Sequence, residues 1–383
     1  MKLLWFSHSA LMLGAERAFL EGVKCLRMRP EIDIHAVFPR EGRLKNEVES
    51  LGAPTHVRPY SWWLSPTTLP PHRRIHSFLK FCVEARGLLP LLEAITPDLV
   101  VTNTIATPSA AIASGIKRIP HLWYIHEFGE EDHGFTFGLG RRPSLALMRF
   151  LSRRFIVNSQ AVLEKYRSLL PAHRIDKIYY AVDVPPCTDQ PLRSNSGRLR
   201  ILLAGSKTEG KGQEDAILAL RLLKNKGYDL ELILLGAETE VYGALLRALS
   251  KRLGLGDCVR FINFTPNPFE YFANAEIALI CSRSEAFGRV TVEAMKLGKP
   301  IIGADRAGTL ELIKDGVNGY LYRCGDPGDL ASKIEILYKN RELIPELGHR
   351  ARDWSQRTFT LEAYADGLCG IFDTALTPRR SRW

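Results

Sequence analysis

Two carboxylates eight residues apart, Glu285 and Glu293, mark where this chain could do chemistry. Glu285 sits in the polar stretch 282–288, which follows the apolar run Ile277–Ile280. Glu293 sits in a helical pattern whose apolar positions are Val290, Val292 and Met295, stopped by Gly298 and Pro300. Side chains on a helix lean toward its N-terminus, so Glu293 is aimed back at the loop that holds Glu285. Ala286-Phe287-Gly288 between them is a tight turn without solvent-loop composition, unlike the setting of two ordinary surface carboxylates. A second apolar strand, a loop to Gly308 and another short helical run follow. Strand, loop and helix in alternation predict a parallel α/β sheet, in which ligands bind beyond the carboxyl ends of the strands.

Three further stretches carry candidate chemistry. Gly205-Ser206-Lys207-Thr208-Glu209-Gly210-Lys211-Gly212 follows a strand and opens a helix. It nearly matches a P-loop, but Gly212 stands where a Mg²⁺-binding hydroxyl belongs, which excludes an NTPase. A glycine loop at a helix N-terminus, with Lys207 and Lys211 beside it, suits a diphosphate. Taken alone, it reads better as a plain loop with exposed lysines. In Ala307-Gly308-Thr309, Gly308 lets the backbone approach a ligand, and the following amides can donate to phosphate. His126 ends a strand in the N-terminal half. A lone histidine is usually structural, but this one lies at the carboxyl edge. No GxGxxG follows a strand, and neither HExxH nor GxSxG occurs, so nothing supports a dinucleotide dehydrogenase, a zinc protease or an ordinary serine hydrolase.

The elements that must position these residues fall into two halves. The chain has 383 residues, comfortable for two domains. In the first half the pattern predicts strands at 2–7, 34–39, 55–60, 99–102, 121–125, 155–158 and 178–182, with helices at 14–26, 44–51 and 76–95. Asn103 and Thr104 end the fourth strand. The Pro- and Ser-rich stretch 185–197 reads as a linker. A second α/β unit begins at Arg200, with strands at 200–203, 230–235 and 259–262 before the carboxylate stretch and a final helix near 361–376. The turn chemistry of 315–319 is structural.

Net charge is +10. The bias sits in the first 183 residues, with 24 Lys and Arg against 17 Asp and Glu, while the remainder has 28 against 25. Acidic or anionic partners are favoured, but no aromatic-interleaved basic motif supports nucleic-acid binding. Seven scattered cysteines without a CxxC fit a reducing compartment and argue against structural zinc. The apolar start, interrupted by His8 and Ser9, reads as a buried first strand rather than a signal peptide. No stretch approaches the ~18 apolar residues of a membrane span. The basic amphipathic pattern 141–155 fits either an anionic membrane surface or a helix packed on the sheet. The paired Trp62 and Trp63 fit either a surface loop that meets something apolar or a sugar face, or a cap on the core.

The ordered set Glu285-Ala286-Phe287-Gly288, Glu293-Ala294-Met295, Gly298-Lys299-Pro300 and Ala307-Gly308 resembles the donor site of family 4 retaining glycosyltransferases. Gly14-Ala15-Glu16-Arg17, Tyr124-Ile125-His126-Glu127, Ala181-Val182-Asp183 and Gly205 with Lys211-Gly212 resemble that family's other motifs, in the same order along nearly the whole chain. The resemblance implies a GT-B fold: two Rossmann-like domains facing a central cleft, residues 1–184 on the acceptor side and 198–360 on the donor side. The last helix, about 361–378, would pack back on the first. It further implies that Glu293 holds ribose hydroxyls, that Glu285 with the backbone of Phe287 and Gly288 holds the donor sugar, and that Lys211 neutralises the diphosphate. His126 would lie near the transferred sugar and Gly14 near donor phosphate and acceptor. Gly205, Ser206, Lys207, Arg289, Gly308 and Thr309 complete the expected donor site; Trp62, Trp63 and Asn103 are candidates for the acceptor. Three departures stand out: Ser206 replaces an Arg, so that part of the diphosphate charge falls to Lys207 or is absent, and Leu13 and Ala307 each replace a Gly.

The expected activity is metal-independent, retaining hexosyl transfer from a UDP- or GDP-sugar to a glycan, lipid-linked or polysaccharide-precursor acceptor, without a cofactor. The expected setting is the cytoplasm, with peripheral contact to the anionic inner membrane face. The competing expectations are a nucleotide-sugar binding protein without transfer activity and a GT-B nucleotide-sugar epimerase.

Overall fold

The computed structural model describes residues 1–129, 131, 134–185 and 198–377. The chain forms two compact units, Met1–Val182 with Phe359–Trp383, and Asp183–Thr358.

The first unit is built on a parallel seven-stranded sheet. Its elements in order are β1 (Lys2–Phe6), α1 (Gly14–Arg27), β2 (Asp33–Phe38), α2 (Arg43–Ser50), β3 (Thr55–Val57), β4 (Leu64–Ser65), α3 (Pro71–Ile95), β5 (Leu99–Asn103), α4 (Ser109–Lys117), β6 (His121–Ile125), β7 (Thr136–Phe137), α5 (Arg141–Leu151), β8 (Arg154–Val157), α6 (Gln160–Arg167) and β9 (Ile175–Lys177). The sheet order is β3-β2-β1-β5-β6-β8-β9, and β4 pairs separately with β7, antiparallel. The central strands β5 and β6 are buried along their whole length, as expected when helices cover both faces of a parallel sheet. The chain winds outward from β1 in one direction and from β5 in the other, so β1 and β5 flank the switch point.

The second unit contains β10 (Leu199–Ala204), α7 (Gln213–Asn225), β11 (Leu230–Leu235), α8 (Glu240–Arg252), β12 (Val259–Ile262), α9 (Phe269–Asn274), β13 (Ile277–Ile280), α10 (Arg289–Lys296), β14 (Ile301–Ala304), α11 (Thr309–Leu312), β15 (Gly319–Tyr322), α12 (Pro327–Lys339) and α13 (Leu343–Thr358). Its parallel sheet runs β12-β11-β10-β13-β14-β15, with the switch point between β10 and β13. The last helix, α14 (Leu361–Leu376), belongs to the first unit and packs on α1.

Several sequence-based boundaries move. The strand expected at 178–182 is displaced: β9 pairs with β8 over Ile175–Lys177 instead. The apolar run after it is buried where the chain returns, with the Val182 amide donating to Phe359 O at 3.4 Å and Ile178 facing Gly367 of α14. The strand expected at 55–60 pairs only through Val57; Tyr60 turns inward, its hydroxyl donating to Val37 O at 3.0 Å. Helix α3 begins at Pro71 rather than His76, because proline is favoured in a first helical turn. The last strand, β15, emerges directly from the predicted turn. The linker expected at 185–197 lies outside the described residues except for Pro185. No described helix is long and apolar enough to cross a membrane.

Candidate active site

In the second unit the carboxyl edge of the sheet gathers three loops at the switch point. The loop after β10 runs from Gly205 through a 3-10 turn, Glu209–Lys211, to the start of α7. The loop after β13 lies against it: the Arg283 amide donates to Gly210 O at 2.8 Å, and the Arg283 guanidinium pairs with Asp215 at 3.1 Å. Gly212 makes this approach possible. Its φ is 67°, and a Cβ there would fall 2.2 Å from Cys281 O. The loop after β14 closes the third side, its Gly308 amide donating to Glu285 O at 2.8 Å. A Cβ on Gly308 would fall 2.8 Å from the carbonyl oxygens of both Glu285 and Ala286. Ala307 takes a left-handed φ of 51°, a conformation that costs a non-glycine residue energy.

The charged side chains meet across this junction. Lys211 Nζ donates to Glu285 Oε2 at 2.7 Å, bridging the β10 and β13 loops. At the start of α10, Arg289 Nε donates to Glu293 Oε1 at 2.9 Å one turn on; Glu293 is buried and Arg289 largely covered. Gly288 caps α10 with φ 94°, leaving room for Thr291 and Leu312. A recess of about 310 Å³, open to solvent, is lined by Gly205, Lys211, Cys281, Ser282, Glu285 and Gly288. Among the described residues no cluster of three or more His, Cys, Asp or Glu side chains is placed to hold a metal ion.

At the switch point of the first unit, buried polar groups line the ends of β1, β5 and β6. His126 Nε2 lies 2.7 Å from Asn103 Oδ1. The Asn103 amide nitrogen in turn donates to Ala15 O, which fixes the oxygen toward the histidine. His126 Nε2 is therefore the donor, and Nδ1 keeps its lone pair. Burial, together with the nearby His8 and against the pull of Glu16, lowers the His126 pKa to about 3, so the ring is neutral near pH 7. Glu127 holds the two strand ends together by accepting from the Ile105 amide at 2.7 Å and the His126 amide at 2.9 Å. At the start of α1, Glu16 accepts from Ser9 Oγ and sits 3.2 Å from His8 Nε2. Burial alone would push Glu16 up; the His8 and Ser9 contacts outweigh it and hold its pKa at about 2.

Comparison with known proteins decides what kind of molecule carries these two edges. The family model described as Glycosyltransferase Family 4 matches residues 13–184, and the one described as Glycosyl transferases group 1 matches residues 188–354. The chain belongs to the GT-B family 4 glycosyltransferases. Among curated relatives, it is 30% identical over 187 residues to N-acetyl-alpha-D-glucosaminyl L-malate synthase of Bacillus anthracis, covering 49% of this chain and 48% of that one. It is 25% identical over 173 residues to the capsular polysaccharide biosynthesis glycosyltransferase CapM of Staphylococcus aureus, covering 45% of each. The chain thus spans about half the length of the curated relatives it matches. Among solved structures, Anabaena Alr3699/HepE in complex with UDP-glucose superposes with a TM-score of 0.80 at 23% identity, over 98% of this chain and 100% of that chain. That likeness carries the GT-B fold.

In this family member the residues expected at a donor site do not all meet. Lys211, Glu285, Arg289, Glu293, Gly288 and Gly308 converge as described, and Gly205 lines the recess. Lys207 does not join them. Its side chain is fully buried, and its ammonium donates to Gly236 O and to Ile262 O at 2.8 Å, with Glu238 at 3.4 Å. The backbone pairs Lys207 with Glu238 beyond the end of β11, which turns the side chain into the sheet and away from any phosphate. Ser206 is exposed and bears no charge to replace the expected arginine. The Phe287 side chain is buried and packs in the core rather than facing the recess. The Thr309 methyl packs over Gly303.

Gly14 opens α1 with clear space around it, and the neighbouring Leu13 is 57% exposed. Trp63 is a core residue, stacked on Trp123 with ring centres 5.6 Å apart, so it drops out as an acceptor contact. Trp62 stays half-exposed, its ring 5.6 Å from His8 and its Nε1 donating to His8 O at 2.9 Å. Sequence reasoning missed the His8–Ser9–Glu16 cluster. The signal was present: polar residues directly after the first strand of a parallel sheet lie where ligands bind.

Proposed function

We propose that this family member is a retaining hexosyltransferase that takes a sugar from a UDP- or GDP-sugar and passes it to a glycan, lipid-linked or polysaccharide-precursor hydroxyl. The observation that carries the reading is the Lys211–Glu285 pair at the switch point, beside the largely covered Arg289–Glu293 pair. Cleaving a sugar–phosphate bond builds negative charge on the leaving diphosphate and positive charge at the anomeric carbon. Lys211 and the loop amides around Gly210 and Gly308 are suited to the first. Glu285 is suited to orient sugar hydroxyls and Glu293 to hold the ribose. The switch-point residues of the first unit, His126, Asn103, Gly14 and Trp62, are assigned to the acceptor hydroxyl and the transferred sugar. The solved relative that carries UDP-glucose supports a nucleotide-sugar donor, and the capsule relative supports a polysaccharide acceptor. The basic helix α5 accords with a peripheral position on an anionic membrane face.

A panel of UDP- and GDP-sugars tested by thermal shift identifies the donor, because a ligand stabilises the state it binds. Lys211→Ala loses that shift and abolishes transfer while melting as the parent does; Glu293→Ala also loses the shift and transfer, and melts lower because it removes the buried partner of Arg289. Wild-type turnover in either variant overturns the role assignment. NMR of the product's anomeric proton reads retention directly.

A further inference from the structure

Helix α3 is apolar on two opposite faces. Phe81, Ala85, Leu88, Leu92 and Ile95 are buried in the interior of the unit. Ile75, Leu79 and Val83, spaced four apart on the far side, are 66%, 57% and 64% exposed, with Phe78 beside them at 41%. A helix buried along one side needs one apolar stripe, and a second on the solvent side has no role in folding this unit. Cations are interleaved with it: Arg73, Lys80 and Arg86 are all exposed. The one acid in Pro71–Arg86 is Glu84, which is turned inward to accept from the Ser61 and Ser109 hydroxyls, with Lys80 3.8 Å away. Helix α4 packs against α3, and α5 against α4. The layer continues outward with exposed Ile116, Arg118, Arg142 and Phe150, the last 86% exposed.

We propose that this face of the N-terminal unit, centred on the Ile75–Leu79–Val83 stripe, docks on an anionic lipid bilayer. The inference deepens the peripheral-membrane part of the reading above and rests on that part alone. The apolar ridge of a convex helix inserts at the headgroup boundary, while the flanking cations meet lipid phosphates. A second copy of this chain fits worse, because a twofold contact through the stripe would set Arg73, Lys80 and Arg86 against their own counterparts.

The test is co-flotation of the full chain with vesicles of phosphatidylcholine alone or mixed with phosphatidylglycerol. The parent chain floats with the anionic vesicles and much less with the neutral ones, and binding weakens as salt rises toward about 0.5 M. Ile75→Glu, Leu79→Glu and Val83→Glu combined lower the vesicle-bound fraction about tenfold, with the melting temperature unchanged because all three side chains are exposed. Arg73→Glu with Lys80→Glu, which leaves every apolar side chain in place, lowers it as well. Equal partitioning of the parent between buffer and anionic vesicles overturns the proposal, as does a stripe variant that floats like the parent. A parent dimer that the stripe variant dissociates, read by light scattering, assigns the stripe to self-association and overturns it too. The thermal-shift panel of UDP- and GDP-sugars run alongside separates the two readings. Lost flotation with an intact shift fails only the membrane inference, and a lost shift with intact flotation fails only the donor assignment.

Discussion

Lys207 and Lys211 are four residues apart in one glycine loop and have opposite fates. Lys211 reaches across the switch point to Glu285. Lys207 is drawn inside and ties three chain segments together through Gly236 O, Ile262 O and Glu238. Removing the ammonium leaves two buried carbonyls without their donor and Glu238 with Arg247 as its remaining cation. Lys207→Met is therefore expected to cost about 3 kcal/mol, read as a fall of about 10 °C in melting temperature. Lys211→Met is expected to leave stability within about 1 kcal/mol and to lose donor affinity instead. Equal melting of the two variants would remove the distinction. Sequence alone paired these lysines because both lie in one glycine-bearing loop. What separates them is one extra backbone bridge, Lys207 to Glu238, which composition does not encode.

At the scale of elements, the parallel βα units were legible because continuous apolar runs such as Ile277–Ile280 belong to strands buried on both faces. The short pieces were not. The antiparallel pair β4–β7 has two residues per strand, too few for a period to register. The run 178–182 is apolar because it packs at the chain's return, so burial there mimics a strand. The carboxylate site was legible in residue types; its closure was not, since it depends on how near three loops come. Gly212 sets that distance. Gly212→Ala puts a methyl 2.2 Å from Cys281 O at a φ of 67°, and the β10 and β13 loops must part. The expected loss is about 2 kcal/mol of stability, with donor binding abolished. A Gly212→Ala variant that still shows the parent's nucleotide-sugar thermal shift would mean that the close approach is not needed for binding.

For the whole molecule, the groups that resist acid concentrate in the N-terminal unit. His121 is fully buried between the hydroxyls of Thr102 and Ser152, each 2.8 Å away, and burial lowers its pKa to about 3. Burial, with the charge of His8 adding to it and Glu16 opposing, does the same for His126. Both folded values lie below the ordinary 6.5, so between pH 6.5 and 3 the unfolded chain binds the extra protons. Stability is therefore full above pH 6.5 and falls as pH drops through that window. Two such protons give a limiting slope of about 2.7 kcal/mol per pH unit. Glu16 acts in the same direction lower down: its folded value of about 2 lies below the ordinary 4.5, so its contribution is present above pH 4.5 and is lost toward pH 2. Trp5, Trp63 and Trp123 are buried in this unit, while Trp354 lies in the other, so urea unfolding followed by tryptophan fluorescence reads chiefly the N-terminal unit. The unfolding midpoint is expected to drop steadily from pH 7 to pH 4. His121→Gln keeps a side chain that can hydrogen-bond to Thr102 or Ser152 but takes up no proton, and it should halve the slope. A midpoint unchanged between pH 7 and pH 5 would mean that these imidazoles are not held neutral by the fold.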